Sequence, residues 1–234
     1  MLTAVAFLTV VGRGRTPDGH TFKWFPVVGA GIGALLAGVW WAASELWSPA
    51  LAAAIVVATD LAVTGLIHLD GLADSADGLL PHLDRERRLR VMRQPDVGAF
   101  ALGVVPVVLL LRWAALADAA GTATDLSLIA IWCASRTLVA TIPALVPYAR
   151  SEGLATALLG GASPWLGLWL LPCAVGLAVS EGAAGAVAIP VAVAASAAVV
   201  LFARHRLGGY TGDVLGAIVL VSETAALAVL ALPS

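Results

Sequence analysis

Charge is scarce in this sequence. Asp, Glu, Lys and Arg make up 12% of its 234 residues against 60% hydrophobic ones, where an average soluble domain carries about 25% charged residues. That balance excludes a water-soluble fold, and the mean hydropathy of +0.96 places the chain in a membrane. Cysteine is nearly absent: Cys133 and Cys173 both lie inside apolar runs, which argues against a disulfide framework or a thiolate metal site and leaves them as packing residues. With no basic stripe interleaved with aromatics, no nucleic-acid partner is expected. No Walker loop, Gly-x-Ser-x-Gly elbow or internal repeat occurs. Residues 1–12 are apolar, but Arg13 and Arg15 follow that stretch instead of preceding it, which is not the order of a secretory leader. The stretch is also short of the roughly 20 residues that span a bilayer, so an interfacial or re-entrant segment is expected.

What the chain does have is long apolar runs, at 25–46, 49–69, 97–117, 126–146, 164–180, 186–203 and 214–232. They predict an all-α, polytopic integral membrane helix bundle of about seven spans, a single domain over residues 1–234. The fifth and sixth runs share a Gly/Ala-rich connection that blurs their boundaries. Gly29-Ala-Gly31-Ile-Gly33-Ala34 has dinucleotide-fingerprint spacing but follows no strand. It is read as close helix packing, Gly29 with Gly33 and Ala34 with Gly38.

Basic residues set the orientation. Connections on one side hold Glu45, Asp118, Asp125 and Glu181 and no Lys or Arg, whereas 11 of the 13 basic residues fall on the other. The positive-inside rule makes that second side cytoplasmic and puts the C-terminus outside. The basic segment 84–93 reads as a short amphipathic cytoplasmic helix touching lipid headgroups, with Leu83, Leu89 and Met92 turned to the bilayer.

On the same side lies His68-Leu-Asp-Gly-Leu-Ala-Asp-Ser-Ala-Asp-Gly78. If it is helical, offsets of four and seven residues bring Asp70, Asp74 and Asp77 onto one stripe. Crowded carboxylates suit a hard divalent cation, and magnesium characteristically combines one or two carboxylates with substrate phosphates. The plain alternative, a solvated helix end, fits poorly with Gly71 and Gly78 among the acids, where glycine costs helix propensity unless something must approach closely.

Other polar groups gather around this motif. Gly208-Gly-Tyr-Thr-Gly-Asp213 opens the last run; Gly209 and Thr211 are candidates for holding an anion, and Asp213 is either a helix cap or a fourth carboxylate. Arg93 is the best phosphate-binding candidate of the basic segment. Arg112, Arg136, Asp60 and Glu223 fall within predicted spans, where ionisable groups are partnered or line a cavity. Arg112 can snorkel, and Arg136 is read as the inward partner of an acid or phosphate. Glu223 is read as an arginine's partner instead of a metal ligand and is grouped with the substrate-binding residues. His68 is as readily a packing histidine as a catalytic one.

The segments carrying these features, in this order, resemble the cobalamin synthase family (adenosylcobinamide-GDP ribazoletransferase, cobalamin 5′-phosphate synthase). They are Phe7-Leu-Thr, Phe25-Pro-Val-Val-Gly-Ala, the His68–Gly78 motif, Met92-Arg93 with Gly98, Ser135-Arg136, Tyr148-Ala-Arg150 with Glu152-Gly-Leu154, and Gly208-Gly-Tyr-Thr-Gly-Asp-Val-Leu-Gly-Ala217 with Glu223. After Met92-Arg93 the family tends to show Asp-Ser/Pro-Arg where this chain reads Gln94-Pro95-Asp96, so Gln94 is given no metal role. The resemblance implies a magnesium-dependent transfer: adenosylcobinamide-GDP and α-ribazole, or its 5′-phosphate, yield adenosylcobalamin, or its 5′-phosphate, and GMP. The enzyme would sit in the bacterial cytoplasmic membrane with its site facing the cytosol. On this reading Asp70, Asp74 and Asp77 hold magnesium, Asp213 is a further ligand or the general base, and His68 is a second catalytic candidate. Arg93, Arg136 and Arg150 contact the diphosphate, with Gly209, Thr211 and Glu223 supporting. The partners are the two substrates and the lipid bilayer, and a homo-oligomer is compatible with the sequence. The rivals are a CDP-alcohol phosphotransferase, whose Asp-x-x-Asp-Gly-x-x-Ala-Arg pattern lacks its arginine here, and a transporter, suggested by Asp60 within the membrane.

Overall fold

The computed structural model describes residues 1–12, 18–119, 125–150 and 161–232; Arg13, Arg15 and the Glu152-Gly-Leu154 segment lie outside them. The described residues form nine α-helices: α1 (Leu2–Leu8), α2 (Phe25–Leu46), α3 (Pro49–Val63), α4 (Ile67–Leu79), α5 (Arg85–Val91), α6 (Ala99–Asp118), α7 (Asp125–Thr141), α8 (Leu170–Leu207) and α9 (Gly212–Leu230). No strand occurs among them; the nearest thing is a single bridge between Tyr148 and Tyr210. The fold is the all-α polytopic bundle the composition demands. Five stretches are long and apolar enough to cross a membrane, or six if α3 and α4 count as one.

The longest of these, Pro164–Leu207, is not straight. Gly182 takes φ 61° and ψ −132°, outside the helical region, and a Cβ on Gly185 would collide with the carbonyl of Leu177. Such proximity across eight residues requires the chain to double back, so α8 is a helical hairpin whose two limbs correspond to the fifth and sixth apolar runs. Counting the limbs separately gives six crossings, or seven if α3 and α4 count as one.

The centre is built by α7 and α9, buried along most of their length. Gly29 and Gly33 let α2 lie directly on α7: a Cβ at Gly33 would stand 2.6 Å from the Leu128 carbonyl, and one at Gly29 would overlap that of Trp132. Close packing through small residues is thus correct for this pair. Gly38 faces open space, so the companion pairing of Ala34 with Gly38 does not form. Outward-facing Leu102, Leu110, Leu171, Val179 and Leu201 leave the bundle an apolar exterior, as a lipid-facing surface requires. Helix α1, seven residues long, buries Ala4 and Leu8 and is too short to cross.

Mid-bundle, four charges neutralise one another. Arg112 donates to Asp60 (2.7 Å) and Glu223 (2.8 Å), Arg136 pairs with the other Glu223 oxygen, and Trp132 Nε1 and Ser135 Oγ complete the two carboxylates at 2.9 and 2.7 Å. Arg112 therefore does not snorkel; it is 1% exposed and stacks on Trp132 at 4.6 Å. Such a network is costly to break and specifies which helices meet.

Candidate active site

The run 49–69, expected as one span, breaks before the acidic motif. Gly65 (φ 59°) and Leu66 (φ 62°) both adopt the left-handed region, and α4 leaves α3 at 88°. At 13 residues α4 is about 20 Å long, too short to cross a bilayer by itself. It lies instead across the end of the bundle against α9 and α6, outside the spanning segments. The acid-bearing stretch is helical as predicted, so Asp70, Asp74 and Asp77 share a stripe that runs from exposed through half-buried to buried.

Glycine brings this stripe to the last helix. A Cβ on Gly71 would stand 2.7 Å from the Asp213 carbonyl oxygen and 3.0 Å from the Gly216 Cα; only with both glycines do α4 and α9 touch backbone to backbone. Asp213, in the first turn of α9, thereby joins the acids. The consequence shows at Asp74, whose pKa is pushed up to about 7, first by burial and then by the charges of Asp213 and Asp70, with Arg150 opposing. A cavity of about 230 Å³ opens onto Asp70, Asp74 and Asp77 and is closed by the segment from Met92 to Val97, Gln94 and Asp96 included.

Asp77 departs from its expected role. Its Oδ2 accepts from the Gly98 N–H at 2.6 Å and its Oδ1 from the Ala101 N–H at 3.0 Å, so both oxygens tie down the N-terminus of α6. Gly98 is needed there, because a Cβ would lie 2.6 Å from the Asp77 carboxylate. Both Asp77 oxygens are thus engaged by amides, which sets it apart from Asp70 and Asp74. Among the described residues no group of three or more His, Cys, Asp or Glu side chains is placed to hold a metal ion.

A family model for cobalamin-5-phosphate synthase matches residues 1–231. The chain belongs to that family. Proteins named adenosylcobinamide-GDP ribazoletransferase are similar over nearly the full length: that of Pseudomonas paraeruginosa is 37% identical, covering 99% of this chain and 97% of its own. That of Bradyrhizobium diazoefficiens is 38% identical over 92% and 86%, and that of Chlorobium phaeovibrioides 34% over 95% and 93%. No solved structure gives a significant match.

In this cobalamin-5-phosphate synthase family member the arginines divide into two groups. Arg150 donates to Asp213 (2.7 Å) and to the Met92 carbonyl (3.2 Å), which binds the acid cavity to its closing segment. Arg93 is exposed and borders both that cavity and a neighbouring cleft of about 400 Å³ lined also by Arg85, Arg90 and Arg150. Arg136, by contrast, is 0% exposed and held by Glu223. Neither reaches the site, and their grouping with the substrate-binding residues is corrected: both belong to the mid-bundle network.

Gly209 and Thr211 are corrected as well. Gly209 packs flat on the 147–149 segment, where a Cβ would meet the Pro147 carbonyl, and the Tyr210 amide and carbonyl bond Pro147 and Ala149 at 3.0 and 2.8 Å. The Thr211 hydroxyl accepts from the Val214 N–H at 3.3 Å, capping α9, and donates to Asp213 at 3.2 Å. The motif positions Asp213. His68, 7% exposed, has no hydrogen-bond partner at Nε2.

Sequence reading missed the structural duties of the basic segment. Arg88 is buried and donates to the Gly78 and Leu79 carbonyls at 2.8 and 2.7 Å, closing the C-terminus of α4, where a cation is favoured by the helix dipole. Arg85 reaches the Leu207 and Ala149 carbonyls at 2.7 and 2.8 Å. Met92 and Leu89 pack inward against the core instead of toward the bilayer. A basic run flanking the acid helix was the available signal.

Proposed function

We propose that the chain catalyses transfer of the adenosylcobinamide-phosphate group from adenosylcobinamide-GDP to α-ribazole or its 5′-phosphate, releasing GMP, with magnesium. The observation that carries the reading is the meeting of Asp70, Asp74 and Asp213 beside an arginine-lined cleft, in a chain whose relatives bear that name. A hydroxyl oxygen of the acceptor forms the new bond to the cobinamide-side phosphorus, the bond to the GMP oxygen breaks, and the proton goes to a carboxylate at the site.

Burial and like-charge crowding at Asp74 are the fit for a divalent cation. Asp70 and Asp74 would hold it, Asp213 adjoining; when bound, it supplies charge neutralisation on the diphosphate oxygens. Arg93 meets the diphosphate from the cleft side, and its planar fork suits two phosphate oxygens. Arg150 fixes Asp213 and restrains it as a base, so Asp70, exposed and in no ion pair among the described residues, is the better proton acceptor. His68 is assigned no proton transfer.

The site-bearing end of the bundle faces the cytosol of a bacterium in this reading, and the far end of α9 the exterior. Supporting it, Arg85, Arg88, Arg93 and Arg150 cluster at that end, as the positive-inside rule expects of a cytoplasmic face. The test is GMP release from adenosylcobinamide-GDP by purified protein with and without magnesium and with Asp70→Asn. Metal-dependent release that falls in the variant is expected; release indifferent to magnesium would reject the mechanism.

A further inference from the structure

A second cavity shares Asp70 with the acid cavity. It measures about 220 Å³ and is walled by Phe7, Phe22, Phe25, Val139 and Val219, with Asp70, Asp213 and His68 at its polar edge. Phe7 stacks on Phe25 (centroids 5.8 Å, 25°), and Phe22 meets Phe25 edge-on (5.0 Å, 72°), so the wall is a preformed aromatic surface. His68 is the buried polar side chain among them, 7% exposed, and its Nε2 has no hydrogen-bond partner. A buried imidazole nitrogen left unsatisfied at the edge of an apolar chamber calls for a ligand atom able to bond it.

Asp70 borders both cavities, Arg93 both the acid cavity and the cleft, and Arg150 of the cleft donates to Asp213 at the chamber's edge, so the three compartments meet at the carboxylates. The two substrates must reach the acids from opposite sides for a hydroxyl to displace a nucleotide in line. The anionic guanosine phosphates suit the arginines. We infer that the apolar chamber is the acceptor subsite, taking the uncharged fused heteroaromatic base of the acceptor nucleoside against Phe7, Phe22 and Phe25, with His68 Nε2 bonding a ring nitrogen or the ribose. The sugar then emerges at Asp70 and Asp213. This rests on the proposed reaction and adds where its acceptor sits and what selects it.

The test compares acceptor nucleosides whose bases have two or three fused rings. Phe7→Ala enlarges the chamber and Val139→Phe shrinks it. Phe7→Ala is expected to raise kcat/KM for the three-ring acceptor relative to the two-ring one by about tenfold or more, the scale on which pockets discriminate size. Val139→Phe should lower the two-ring acceptor relative to a one-ring one, and KM for adenosylcobinamide-GDP should hold within about twofold in both. These readouts are ratios, so a variant that folds poorly does not mimic them. Equilibrium dialysis of the two-ring nucleoside against the Phe7→Ala protein should show weakened binding. Unmoved ratios, or a changed KM for adenosylcobinamide-GDP alone, overturn the subsite while the reaction stands. Failure of the wild-type protein to release GMP overturns the reaction and the subsite with it.

Discussion

Two groups of charges lie along α9, and they behave oppositely. Around Glu223, two acids and two arginines are sealed from solvent and bonded to one another, to Trp132 and to Ser135. Around Asp213, carboxylates outnumber the cation that touches them, and Asp74 is left half-buried with its pKa pushed up to about 7. The first set is balanced in charge and holds helices together; the second is short of positive charge and opens on cavities. Burial of charge alone therefore does not mark a site. Imbalance with access does.

Glu223→Gln should have the largest effect. It strands Arg136 in the bundle interior and leaves Arg112 with Asp60 alone, a change expected to cost about 3–5 kcal/mol, read as loss of folded protein in membranes and a collapsed thermal transition in detergent. Asp74→Asn should do the reverse: full accumulation and an unchanged transition, with transfer reduced about a hundred- to thousandfold, the worth of a few kcal/mol of charge stabilisation. If both variants were equally unstable, the contrast between the two groups would fail. Gly71→Ala sharpens it, because the added methyl pushes α4 off α9 without touching a charge; activity should fall about tenfold to a hundredfold through misplacement, with Glu223's network and the melting temperature little altered. Smallest, Asp77→Ala should cost about 1–2 kcal/mol for the two amides it leaves unpaired while the magnesium concentration for half-maximal activity stays put. A shift in that concentration would restore Asp77 to the metal.

Much of this was legible beforehand where it depended on local spacing. The acid stripe follows from helical period once the segment is helical, and the clustering of basic side chains at one end follows from their placement between apolar runs. What sequence could not convey depends on partners far along the chain. Asp77 looks like its neighbours Asp70 and Asp74, and only the arrival of Gly98 and Ala101 turns it into a cap. Arg136 was read as the partner of an acid or a phosphate and Glu223 as an arginine's partner; that the two pair with each other, 87 residues apart, is what the structure adds. The break at Gly65–Leu66 was masked by an apolar run that continues through it, with no proline to announce it.

That break has one more consequence. A span tilts when the surrounding bilayer thickens or thins, and in a rigid rod the tilt would carry the acidic side chains with it. With α4 set at 88° to α3 and packed on α9 through Gly71 and Gly216, the carboxylates take their mutual spacing from α9 and not from the direction of α3. The chemistry is thereby insulated from the changing hydrocarbon depth in which it works.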